Sequence, residues 1–163
     1  MKPLRGNLDT RLAKLDRGEC QALVLAAAGL KRLGLASRIR AMLEPEQSLP
    51  APGQGALVIE CREDQGALRK QVARLDDFTT SACVLAERAL SRALSGNCQL
   101  PLAAYAVADG KQIQLRGFVG LPDGSNVVRA GLSGPISEPE GLGEALAADL
   151  RLLGADAILA ALS

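Results

Sequence analysis

Residues 101–132 read PLAAYAVADGKQIQLRGFVGLPDGSNVVRAGL. Three apolar runs, 102–108, 112–120 and 126–132, are separated by Asp109-Gly110 and by Pro122-Asp123-Gly124. Asp-Gly between two apolar runs is a hairpin signal, because both residues tolerate the left-handed backbone of a tight turn. The stretch therefore reads as an antiparallel three-stranded meander. Downstream, 139–153 reads as a helix stopped by Gly154, and 155–162 as a last short helix. Upstream, the Asp76-Asp77 pair offers a cap for a helix over 79–94. Positions 82, 85, 86, 89, 90 and 93 give that helix one small apolar face at helical spacing. Residues 77–163 are thus expected to be an α+β domain, a three-stranded antiparallel sheet covered by helices.

The preceding half has a different rhythm. Asp9 or Thr10 can cap a short helix through Leu15, with Gly18 at its stop. The apolar runs 21–26 and 56–61 read as buried strands, and 29–33 as a helical turn. Residues 38–43 form a basic amphipathic piece that Pro45 ends, and 64–75 reads as a helix. Between them, 44–55 carries three prolines and two glycines, the composition of a loop or hinge. The alternation gives an α/β expectation for 1–76. Buried parallel strands need neighbours on both sides, so a region beyond this chain is expected to supply them.

Composition narrows the function classes. Hydrophobic residues make up 48% of the 163 and aromatics only 2%, so a core would be built from Leu, Ala and Val. Nineteen basic and eighteen acidic residues leave a net charge of +1, which gives no support for a nucleic-acid or membrane-surface partner. No apolar run approaches the ~20 residues of a membrane span. The four cysteines, at 20, 61, 83 and 98, show no CxxC pair, and there is no histidine, so no metal site is expected. Reduced thiols in a cytoplasm are the simplest expectation.

Cys98 is the residue with the most suggestive setting. It follows a helical run and a Gly96-Asn97 turn, and Pro101 blocks any return to helix. A thiol on a short loop can be reached by a partner, whereas one inside a helical stripe usually cannot. The alternative is a small apolar filler at a turn. Cys20, Cys61 and Cys83 sit within or beside apolar runs, and packing explains them. The Pro52-Gly-Gln-Gly55 loop lacks phosphate-loop spacing and reads as a glycine hinge.

Four motifs in order carry a resemblance: Arg5-Gly6-Asn7 with Thr10 and Arg11, the run LAAAGLKRLG at 25–34, the run SLPAPGQGAL at 48–57, and the run ending in Cys98. Together they resemble the porphobilinogen deaminase (hydroxymethylbilane synthase) family over nearly the whole chain, matching its C-terminal part. One departure is Asn97, where the family usually has glycine before the cysteine. Asn tolerates left-handed backbone, so the turn is expected to survive.

The resemblance implies a function and an organisation. The family is a transferase of tetrapyrrole (haem) biosynthesis. It polymerises porphobilinogen into the linear tetrapyrrole hydroxymethylbilane, releasing ammonia. Its dipyrromethane cofactor is joined by a thioether to the loop cysteine, here Cys98. Arginines line its site, because substrate and cofactor carry acetate and propionate groups that a guanidinium pairs through two hydrogen bonds. By motif match, Arg5, Arg11, Arg32 and Gln54 become cofactor-binding candidates; the alternative is that surface arginines are merely solvated.

Residues 1–49 would end family domain 2, and 50–76 would be a hinge and a segment returning to domain 1. Residues 77–163 would be domain 3. The first two domains resemble type II periplasmic binding proteins. The family's catalytic aspartate has no counterpart here, so none of this chain's residues is expected to be catalytic and the chain alone is expected to be inactive. A missing N-terminal region or chain is the expected partner, alongside porphobilinogen and pyrrole intermediates. The alternative function is a non-catalytic α+β binding or scaffold module.

Overall fold

The structure is a computed structural model, and it describes residues 4–94 and 101–162. The chain divides into two compact units, Met1–Glu44 and Pro45–Ser163.

The larger unit is organised around the expected meander. β1 (Leu102–Asp109), β2 (Gln112–Gly120) and β3 (Val127–Pro135) pair antiparallel in chain order. The β1–β2 register runs from Leu102 opposite Val119 to Asp109 opposite Gln112, leaving the two-residue connection Gly110-Lys111. Gly110 has φ +58°, left-handed backbone that a side chain resists. β2 and β3 run from Gln112 opposite Pro135 to Gly120 opposite Val127. On one face, Ala104, Ala106, Ile113, Leu115 and Val119 are buried. The helices α4 (Phe78–Ala93), α5 (Pro139–Leu152) and α6 (Ala155–Ala160) cover that face. Leu90, Leu94, Leu146, Leu150 and Ile158 fill the space between. Each such side chain contributes roughly 1.5–3 kcal/mol by leaving water.

Small residues set how closely the helices approach. α4 presents Ala82, Ala86 and Ala89, all buried. A Cβ on Gly143 of α5 would run into the Ala86 carbonyl oxygen and lie 2.7 Å from Ala89 Cβ. With so few aromatics, the core gains density through this close backbone contact instead of large rings. α4 begins where expected, since the Asp77 carboxylate accepts the Thr80 N–H at 2.7 Å.

The smaller unit holds α1 (Leu8–Asp16), α2 (Ala27–Arg32) and a 3-10 turn, Ala36–Arg38. Asn7 caps α1 rather than Asp9 or Thr10. Its Oδ1 accepts the Thr10 N–H at 2.9 Å and the Thr10 hydroxyl at 2.7 Å. Asp16 and Arg38 form an ion pair at 2.5 Å.

Several local expectations are corrected. The runs 21–26 and 56–61 form no strand, and Val24, Leu57 and Val58 are 70%, 91% and 75% exposed. A strand needs a partner for its N–H and C=O groups, and these runs find none among the described residues. Leu85 is 40% exposed, so it lies off the buried stripe, while Glu87 lies in it at 7%. The helix read over 64–75 begins later, as α3 (Gly66–Val72) followed by a 3-10 turn, Ala73–Leu75.

Candidate functional site: a carboxylate-held glycine loop and a set of guanidinium donors

The outer edge of β1 would leave backbone N–H groups unpaired, because among the described residues no strand lies beside it in the sheet. Two acceptors meet them. The Ala104 N–H donates to the Pro50 carbonyl at 3.0 Å, and the Ala106 N–H donates to Glu87 Oε1 at 2.8 Å. The other oxygen of Glu87 accepts the Gly53 N–H at 2.6 Å. The loop 50–55 is therefore fastened to the sheet edge at one point directly and at another through α4. Within the loop, Gln54 Oε1 accepts the Ala51 N–H at 3.0 Å, which leaves the Gln54 amide as a donor on an exposed residue. Gly53 has φ +72°, so the tight backbone that aims its N–H at Glu87 needs glycine.

Burial pushes the Glu87 carboxyl above its ordinary value, and the bonds from the Gly53 and Ala106 amides oppose the rise. Cys83, one helical turn earlier, is also pushed up, first by burial and then by the charge of Glu87. A thiol held protonated is a poor nucleophile, so Cys83 suits packing, as its sequence setting suggests.

The candidate arginines all belong to the smaller unit. Arg11, in α1, donates from Nε to the Gly6 carbonyl at 2.9 Å, which sets its guanidinium against the turn after Arg5. Arg5 is exposed beside Gly6, whose φ is +122°. Arg32 is exposed in the last turn of α2, where the helix dipole favours a cation. Gln54 belongs to the larger unit. Cys98 lies outside the described residues.

The dipyrromethane that the sequence resemblance implies carries carboxylates. The candidates present are all donors to such groups: Arg5 and Arg32 exposed, the terminal nitrogens of Arg11, and the amide of Gln54. The donor chemistry fits the group. Among the described residues, no cluster of His, Cys, Asp or Glu could hold a metal ion. No described helix is long and apolar enough to cross a membrane.

Sequence reasoning missed two features. Glu87, beside Arg88 in the sequence, is buried on backbone amides, and Arg92 pairs with Glu140 at 2.7 Å. The available signal was an acid set between Ala86 and Ala89-Leu90 of the apolar stripe. The second feature is a groove of about 440 Å³ between residues 45–49 and the open face of the sheet. Arg116 pairs there with Glu46 at 2.5 Å and lies 5.6 Å from the Tyr105 ring centre, while Arg129 lies 5.9 Å from that of Phe118. Only the strand register, which puts these residues on one face, makes it visible.

Comparison with known proteins matches the sequence to one family twice. Residues 1–70 match the family model described as porphobilinogen deaminase, dipyromethane cofactor binding domain. Residues 81–151, which include Cys98, match that of the porphobilinogen deaminase C-terminal domain. A porphobilinogen deaminase of Bordetella parapertussis is 59% identical over 162 residues, covering 99% of this chain and 52% of that protein. Those of Methylobacillus flagellatus and Thiobacillus denitrificans are 56% and 52% identical over the same length, covering 52% and 53% of those proteins. The chain spans about half the length of the curated relatives it matches. With both of the family's domain models matched in order along it, the chain belongs to the porphobilinogen deaminase family.

Proposed function

We propose that this chain supplies the cofactor-anchoring part of a hydroxymethylbilane synthase, a transferase that polymerises porphobilinogen into a linear tetrapyrrole in haem biosynthesis. The observation that carries the reading is the paired family match, in which Cys98 falls inside the C-terminal domain. Cys98 is the proposed attachment point for dipyrromethane. Its sulfur forms a C–S bond to the methylene carbon of a porphobilinogen unit as that carbon loses its amino group, and the thiol proton leaves with the ammonia. A thioether then resists hydrolysis, which suits a permanent anchor. When bound, the cofactor supplies a nucleophilic pyrrole carbon on which the chain of rings grows.

This chain's own part is to hold carboxylates. Arg5, Arg11 and Arg32 offer paired N–H donors, and Gln54 a single amide donor, which fix orientation as well as charge. Cationic condensation chemistry also needs a nearby carboxylate. No carboxylate of this chain falls in a motif matched to that role, and several are held elsewhere, among them Glu87 on backbone amides and Asp16 on Arg38. The condensing carboxylate is therefore assigned to the family's remaining half, and isolated residues 1–163 should not make hydroxymethylbilane.

In domain terms, residues 1–49 would end the second family domain, 50–76 would hinge back towards the first, and 77–163 would be the third. The unpartnered apolar runs 21–26 and 56–61 support an α/β, periplasmic-binding-protein-like setting completed by that other half. Free, unpaired Cys20, Cys61 and Cys83 agree with a reducing cytoplasm. Incubation of the purified chain with porphobilinogen tests the division of labour. No tetrapyrrole above background is expected, and turnover would send the search for the catalytic carboxylate back to Asp9, Glu60 and Asp64.

A further inference from the structure

We propose that Glu87 is a positioning residue whose carboxylate clamps the 50–55 loop to the edge of β1, so that the loop and the sheet move as one body and Gln54 is held where its amide meets a ligand. The role for Gln54 rests on the cofactor-cleft reading above; the clamp itself does not. One oxygen takes the Gly53 N–H at 2.6 Å and the other the Ala106 N–H at 2.8 Å, so a single side chain on α4 joins loop and strand. No smaller or neutral group can do this. A carboxylate has acceptor sites on both oxygens, whereas an amide turns an N–H₂ towards one of the two donors. The side chain is almost fully buried and so is its bond to Ala106, so the Ala106 amide, once abandoned, finds no water in its place. The Ala104 N–H to Pro50 carbonyl bond, 3.0 Å long, is the second fastening and does not touch Glu87.

That second bond makes the clamp testable apart from local bonding. Amide hydrogen exchange is measured on the full chain, parent and Glu87→Gln, with Glu87→Asp as a second variant that keeps the charge but shortens the reach. The Ile113 and Leu115 amides in the middle of the sheet report whether the fold persists. In both variants the Gly53 and Ala106 amides are expected to exchange about tenfold faster or more, the scale of losing a charge-assisted bond at a buried donor. The Ala104 amide is expected to speed up with them although its own acceptor is untouched, while Ile113 and Leu115 stay protected. Unchanged exchange at Ala104 would reduce Glu87 to a local acceptor and overturn the clamp. Unchanged exchange at Gly53, or equal loss at Ile113 and Leu115, would overturn it too. In the complete enzyme, an intact clamp with no effect of Gln54→Ala on carboxylate binding would count against the cleft reading alone.

Discussion

At the scale of single residues, two acidic and thiol groups carry the sharpest expectations. Replacing Cys98 by serine in the complete enzyme should leave the fold intact and abolish stable cofactor loading, because an oxygen is a far weaker nucleophile than a thiolate. Cys20, Cys61 and Cys83 should tolerate Ser or Ala with packing losses of about 1–3 kcal/mol at most; an equal loss of loading on changing any of them would move the anchor. Glu87 has a pH signature. Its folded-state value is raised above 4.5 by burial, so the folded state holds that proton more tightly than the unfolded chain does. The stability tied to this proton is full below 4.5 and declines as pH rises through the raised value. Glu87→Gln should flatten that part of the stability–pH curve, as denaturant titrations across the acid range would show. The sequence singles out Cys98 because Gly96-Asn97 and Pro101 flank it. Glu87 was not legible, because an acid followed at once by Arg88, with Arg92 five residues on, looks like part of a solvated face until the third dimension shows which way it points.

At the scale of elements, the helix pair α4–α5 is set by absence of side chains. Gly143→Ala would push a methyl into the Ala86 carbonyl and Ala89, both parts of a helix that cannot rotate away. Overpacking typically costs about 1–3 kcal/mol, more than the ~1 kcal/mol that alanine gains in helix propensity, so a net loss of stability is expected in chemical denaturation. Gly117→Ala should be milder, since its new methyl would meet the mobile end of Leu90, at 2.7 Å. The cap of α4 adds a second pH effect. Asp77 is held below its ordinary value by the Thr80 amide and hydroxyl, so its contribution is present above 3.8 and lost as pH falls through the lowered value. Asp77→Ala should therefore lower stability at neutral pH and matter little in strong acid. The meander and both flanking helices were readable because their turn residues, caps and periods agree with one another. The runs 21–26 and 56–61 carry the same apolar signal as a buried strand. Composition cannot say whether a hydrogen-bonding partner is at hand, and none is among the described residues.

At the scale of the whole molecule, the division of stability should follow the division of partners. The sheet and its helices in 77–163 bury a continuous core, whereas 56–61 leaves Leu57 and Val58 in water. Amide exchange should be slow across β1–β3 and α4–α5 and fast at 21–26 and 56–61; equal protection in those two runs would mean that they are paired after all. In the longer relatives' context the same runs should become protected. The claim on which the functional reading stands is that this chain bears the cofactor's covalent anchor, and mass analysis of peptides from the complete enzyme tests it directly. A single dipyrromethane adduct on the peptide containing Cys98, lost in Cys98→Ser, is the expected result. An unmodified Cys98 peptide with the adduct on Cys20, Cys61, Cys83 or any other residue would contradict it.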